Sequence, residues 1–217
     1  MHSLTEENYL KAIYHLTKNG MDKITPTAMA EEMSINAASV VDMIKKLSDK
    51  KLISYEKQNG AKLTAQGNKI ALDIVRKHRL WEVFLLEKLG YSWDVVHDIA
   101  EQLEHIRHGE LSDRLDKFLG YPEYDPHGDP IPNAKGEIPS TANILLSEIE
   151  EGKICQVTAV KDTSSVFLQY LEQLNIKIGT KIIVLEKIAF DGSMVVQIGK
   201  DVKTTVSKKL VESLFII

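Results

Sequence analysis

His97, Glu101, Glu104 and His105 stand at positions i, i+4, i+7 and i+8. On an α-helix that spacing sends all four side chains from one stripe. His78 and Glu82, one helical turn apart, form a second pair upstream. Carboxylate oxygens with imidazole, and no thiolate or thioether among them, make a ligand set for Mn2+ or Fe2+. Zn2+ and Co2+ would substitute, because intrinsic affinity follows the Irving–Williams order. Without a cation, two carboxylates one turn apart repel by about a few tenths of a kcal/mol when exposed. The competing reading of Glu101, Glu104 and His105 is a solvated helical face, and of His97 a core histidine bonded to a neighbour.

The preceding segment carries a different chemistry. Residues 5–18 read as an amphipathic helix with Tyr9, Leu10, Ile13, Tyr14 and Leu16 inward and Asn8 and Lys11 off that face. Thr25 as N-cap and Pro26 as first helical residue open a short helix through Met33. Ser34-Ile35-Asn36 turns, and a third helix over residues 37–50 is expected to bury Val40, Val41, Ile44 and Leu47. Residues 52–56 alternate like a strand, residues 58–61 turn, and residues 62–64 return as a hairpin. Helix, short helix, turn, helix and hairpin is the winged helix-turn-helix order. Ala37, Ala38 and Ser39 at the start of its third helix allow close approach to base edges and thymine methyls, with Thr25, Thr27 and Asn36 beside them. Lys45, Lys46, Lys50 and Lys51, with Lys57 and Lys62 on the wing, suit phosphates. A winged helix used only for protein contacts is the alternative.

A long helix over residues 65–89, capped by Thr64, is apolar nearly all round between Leu80 and Leu86, so it must be buried on more than one side. A second copy is the simplest partner for the extra face, giving a two-fold dimer on palindromic double-stranded DNA. Further helices are expected over residues 93–107 and 110–119. Residues 121–140 hold five of the six prolines and read as a structured loop. Beyond it, short alternating runs at 153–160, 181–189, 194–198 and 204–207, with a helix over 166–174, suggest a small β-barrel. The fold class is therefore mainly α with a β C-terminal domain. The expected boundaries are residues 1–64 for the winged helix, 65–140 for a helical metal-binding and dimerisation domain, and 141–217 for the barrel.

Charge follows the same division. Residues 1–77 carry a net +3, residues 78–140 a net −7 with five of the seven histidines, and residues 141–217 are neutral. A basic front suits a polyanion and an acidic, histidine-rich middle suits a cation. No apolar run is long enough for a membrane span and the N-terminus lacks signal-peptide character, so a cytoplasmic protein is expected. The single cysteine, Cys155, excludes an internal disulfide and reads as a buried structural thiol.

Asn8-Tyr9-Leu10-Lys11-Ala12-Ile13-Tyr14, Ala38-Ser39-Val40 ahead of Met43-Ile44-Lys45-Lys46-Leu47, Arg76-Lys77-His78-Arg79-Leu80, Val96-His97-Asp98, Glu101-Gln102-Leu103-Glu104-His105 and Pro126-His127-Gly128-Asp129-Pro130-Ile131-Pro132 follow one another along the chain. In that order they resemble the diphtheria toxin repressor family of metal-dependent transcriptional regulators, especially its manganese-responsive members with a C-terminal SH3-like, FeoA-like domain. The resemblance implies a homodimeric repressor of metal-uptake genes, loaded by Mn2+ or Fe2+. It further implies a regulatory site at Glu101, Glu104 and His105 with Asn8 from the first helix. A second site would use His78, Glu82 and His97 or, in the manganese type, Glu82 with Asp125, His127 and an acidic barrel residue, here Asp162. Members usually carry Asp or Met where this chain has Asn8, and often Cys where it has Glu101 or Asp125. If metal held by the later helices also touches the first, its binding would fix the spacing of two recognition helices, about 34 Å in a productive dimer.

An enzyme is disfavoured. The chain lacks a His-Glu-x-x-His helix, the Glu-x-x-His that a di-iron bundle needs from two helices (Glu101 is followed at i+3 by Glu104), a nucleophile elbow and a Gly-rich phosphate loop. A winged-helix regulator of an organic ligand remains as an alternative, and would bind DNA regardless of chelators.

Overall fold

Ser3 opens the first helix, α1 (Leu4–Lys18), with a reciprocal capping box in which its hydroxyl accepts from the Glu6 backbone and the Glu6 carboxylate accepts from its own. The computed structural model describes residues 2–140, 144–199 and 202–217. Thr25 caps α2 (Pro26–Glu32) and Asn36 caps α3 (Ala37–Asp49) through their side-chain oxygens. β1 (Ile53–Glu56) and β2 (Gly60–Leu63) pair antiparallel as the wing. Thr64 then starts α4 (Ala65–Leu89), its hydroxyl accepting from the Gly67 amide at 3.1 Å. Gly67 is required there, since a Cβ would lie 2.0 Å from the Leu52 carbonyl oxygen.

These elements, as far as His78, form one compact unit together with Leu103–Gly109 and Pro132–Glu137. Leu10, Ile13, Ile24, Met29, Leu47, Leu52 and Ile74 are its fully buried large side chains, each stabilising by about 1.5–3 kcal/mol relative to exposure. Val41 departs from expectation. It is 54 % exposed, because the stripe of Val40, Ile44 and Leu47 already fills the inward face of α3 and residue 41 falls outside it.

The second unit comprises Arg79–Gln102, Glu110–Ile131 and Ile138–Ile217. It contains α5 (Val96–Leu103) up to Gln102, α6 (Leu111–Phe118) and α7 (Ser165–Gln173), with one strand order, β3-β8-β4-β5-β6-β7. The strands are β3 (Ile144–Leu145), β4 (Ile154–Val160), β5 (Lys181–Lys187), β6 (Met194–Ile198), β7 (Val202–Val206) and β8 (Leu214–Ile216), all antiparallel to their neighbours. The expected barrel is thus an open six-stranded sheet. Among the described residues β3 and β7 are its edges, and a two-residue β3 offers too little ladder to close it. Leu146, Val157, Leu168, Leu171, Val184, Val196 and Leu214 form its core with Trp93. Cys155 is buried there, with its thiol pushed up by burial.

The helix expected over residues 93–107 is shorter at both ends. Ser92 and Asp94 close a turn that puts Trp93 into the sheet's core, and α5 ends at Leu103, whose carbonyl accepts from the Ile106 amide. Glu104 and His105 therefore lie in a turn, not on the helical stripe that carries His97 and Glu101. Residues 121–140 form the expected loop, with a single isolated bridge between Tyr124 and Pro130.

Candidate metal centres and DNA-contact surface

The second unit holds a buried group of three. Glu82 comes from α4, and Asp125 and His127 from the proline-rich loop; their ligand atoms all lie within 4.8 Å of one another. The loop is shaped to present them. Asp125 Oδ1 accepts from the backbone of His127 at 2.8 Å and of Asp129 at 3.0 Å, an Asx turn. Gly128, at φ 89°, lets the turn press onto β4, where a Cβ would lie 2.0 Å from the Thr158 carbonyl oxygen. The Val160 amide of β4 donates to the His127 carbonyl at 2.9 Å. Arg79 braces the other side, 3.5 Å from both Asp125 Oδ2 and Asp129 Oδ2, and donates to the Pro130 carbonyl.

His127 Nε2 lies 2.9 Å from the Trp93 carbonyl oxygen and its ring stacks on the Trp93 indole. In the neutral ring, a proton fixed on Nε2 by that carbonyl leaves the Nδ1 lone pair for a metal. Nδ1 is 3.7 Å from Glu82 Oε1. Burial pushes the Asp125 carboxyl up, with Glu82 and Asp129 adding repulsion against Arg79 and His127, so that it titrates at about 8. Burial pulls the His127 imidazole down, but Glu82, Asp125 and the Trp93 carbonyl outweigh this and lift it to about 9. These are groups that hold protons where a cation would relieve the same repulsion.

His97 joins this unit's cluster, with Nδ1 3.3 Å from Glu82 Oε1 and Nε2 3.8 Å from Glu101 Oε1. Asp162 lies outside the group of three. Its Oδ1 accepts from the Ser164 amide at 2.9 Å, ahead of α7.

In the first unit, Glu104 is fully buried. Both its oxygens accept from Lys11 Nζ at 2.8 Å, and Oε2 lies 2.6 Å from His78 Nδ1. His105 Nδ1 lies 2.7 Å from Glu7 Oε2 and its Nε2 3.7 Å from Glu104 Oε1, while Arg107 donates to Glu7 Oε1 at 3.0 Å. Asn8 Oδ1 is buried with no hydrogen-bond partner, the condition in which a carbonyl oxygen accepts a cation. Sequence periodicity missed Lys11, Glu7 and Arg79, because a partner 93 residues away leaves no local pattern. It missed the Trp93 carbonyl as well, since a backbone atom carries no residue signature.

The DNA-contact candidates all belong to the first unit. Thr27, Asn36, Ala37, Ala38, Ser39, Lys45, Lys57 and Lys62 are exposed, as is Val41 of α3, which the sequence had placed in the core. Thr25, half-buried, and Asn36 spend their side-chain oxygens as helix caps. Lys46 and Lys50 also reach back to buried Glu6, at 2.9 and 2.7 Å. Burial resists ionisation of Glu6, but hydrogen bonds from Lys50, Lys46 and the Ser3 backbone prevail and hold its carboxyl at about 2.

A winged helix with an exposed recognition helix, on a chain that also buries carboxylate and imidazole in ligand-sized groups, defines a metal-responsive DNA-binding protein. Known proteins agree. Residues 1–61 match the iron dependent repressor N-terminal DNA-binding domain, residues 64–133 its metal-binding and dimerisation domain, and residues 144–217 the FeoA domain. The chain is 29 % identical to the diphtheria toxin repressor of Corynebacterium jeikeium, over 80 % of this chain and 72 % of that protein. A manganese-dependent transcriptional repressor solved with manganese superposes with a TM-score of 0.89 at 32 % identity, covering 98 % of this chain and 99 % of that one. The manganese regulator SloR gives 0.79 at 36 % identity, covering 98 % and 97 %. The chain belongs to the diphtheria toxin repressor family of iron- and manganese-dependent repressors. It is a metal-dependent transcriptional repressor and not an enzyme. Among the described residues no helix is long and apolar enough to cross a membrane.

Proposed function

We propose that Mn2+, with Fe2+ as the alternative, loads this repressor, which then binds palindromic operator DNA as a homodimer in the cytoplasm and represses metal-uptake genes. The observation that carries the metal assignment is the buried Glu82, Asp125 and His127 group, which is oxygen and imidazole without sulfur and so favours Mn2+ or Fe2+ over softer ions; Zn2+ and Co2+ would bind as substitutes. Asn8, Glu104 and His105 supply ligands of a second kind in the first unit; Glu101, His78 and His97 are nominated by their spacing in the sequence and by family resemblance, and Asp162 by resemblance alone. The bound ion would supply concentrated positive charge for these carboxylates.

The first helix can relay occupancy to DNA within the first unit. Asn8 and Lys11 lie on α1 with the Glu104 and His105 contacts, and Glu6, at the start of the same helix, grips Lys46 and Lys50 of α3. A shift of α1 therefore reaches the recognition helix through the ion pairs that exposed Lys46 and Lys50 make with the buried Glu6 carboxylate. The ion biases a population of α3 positions and adds no new DNA contact. Fluorescence anisotropy on fragments upstream of metal-transporter genes tests the reading. Binding should appear with Mn2+ or Fe2+ and vanish in chelator; equal binding in chelator overturns it.

A further inference from the structure

Glu104 shares its buried carboxylate with a cation that the protein itself provides. Lys11 Nζ donates to both oxygens at 2.8 Å and His78 lies 2.6 Å from one of them, which uses most of the roughly four acceptor directions of a carboxylate. Lys11 is nearly as enclosed as its partner, with its side chain 11 % exposed against 0 %. Taking a compact ammonium out of water is costly and is repaid only while the pair stays intact. Three residues earlier on the same helical face, the buried Asn8 carbonyl has no partner although Lys11 is a three-proton donor. Lys11 holds both oxygens of Glu104 instead.

The geometry points to Lys11 as a built-in counter-ion that competes with the divalent metal for Glu104, and so sets the metal concentration at which the repressor loads. The inference rests on Glu104 being a metal ligand. A metal that takes this carboxylate must displace the ammonium, so Lys11 stabilises the metal-free protein and opposes loading. Its removal reverses both effects.

The test uses the full chain stripped of metal, with Mn2+ titrated by calorimetry and thermal unfolding recorded without metal. K11M should lower the metal-free Tm and tighten one class of Mn2+ sites by at least about tenfold. K11R, which keeps the charge, should restore both values toward the wild type. Should K11M not fold, K11Q carries the same expectation. E104Q should remove one equivalent of Mn2+. If it does and K11M leaves affinity unchanged or weaker, the role of Lys11 is overturned by itself. If E104Q keeps every equivalent, the ligand assignment of Glu104 falls, and the Lys11 inference with it.

Discussion

In the first unit each acidic side chain near the ligand candidates meets a basic partner, Glu104 with Lys11 and His78, and Glu7 with Arg107 and His105. In the second unit Glu82, Asp125 and Asp129 converge on Arg79 and on two imidazoles, His97 and His127. The first cluster is held together by ion pairs that a metal must break. The second is held in strain by its own acids, and a metal would replace protons there instead of side chains. Two clusters of similar composition thus face loading from opposite directions.

The largest expected effect separates them by ligand loss. His127→Ala removes a buried donor already oriented by the Trp93 carbonyl, and Mn2+ affinity of that site should fall by more than the roughly 10- to 100-fold typical of an outer-shell change, measured by calorimetry. Next comes metal-free stability. Glu104→Gln removes the carboxylate that enclosed Lys11 and His78 share and should cost about 3 kcal/mol in denaturant unfolding. Glu82→Gln relieves the repulsion on Asp125 and should cost clearly less; equal losses would erase the distinction between the clusters.

The pH dependence sharpens it further. His127 is lifted from 6.5 to about 9 and Asp125 from 3.8 to about 8. Both native groups bind protons more tightly than the unfolded chain. The stability from His127 is therefore full below pH 6.5 and lost as pH rises through 9, and that from Asp125 is full below 3.8 and lost through 8. Metal-free Tm should decline over this range while the Tm increment given by Mn2+ grows. Glu6 has the opposite sign. Its carboxyl is lowered from 4.5 to about 2, so its contribution is present above 4.5 and lost as pH falls through 2. Glu6→Gln should abolish that acid-side loss. The smallest effect lies on the wing, where Lys57→Ala or Lys62→Ala should weaken all DNA sequences alike and reduce the salt slope by about 1.

What the sequence disclosed depended on range. Thr25-Pro26, Asn36 and Thr64 announce helix starts through neighbouring atoms, and α4 runs over the residues that its periodicity predicts. The stripe from His97 to His105 misleads at its end, because Glu104 and His105 are drawn to Lys11 and Glu7 on another helix and helical spacing stops mattering past Leu103. Val41 misleads for a simpler reason, as an apolar residue type does not say which face it occupies. The open sheet was illegible because β3 and β8 are two and three residues long, too short to alternate, and closure depends on register between strands distant in sequence.

Trp93 carries a consequence for how such proteins can be taken apart. The indole precedes α5, in the helical stretch, yet it is buried in the core of the sheet that begins some fifty residues later, and its carbonyl holds His127. A cut near residue 140 would therefore not release two modules along a seam. It would leave the truncated protein with a bare indole and a loosened histidine, and the excised sheet with a hole the size of an indole. Any recombination that moves the C-terminal domain onto another scaffold must bring a tryptophan with it.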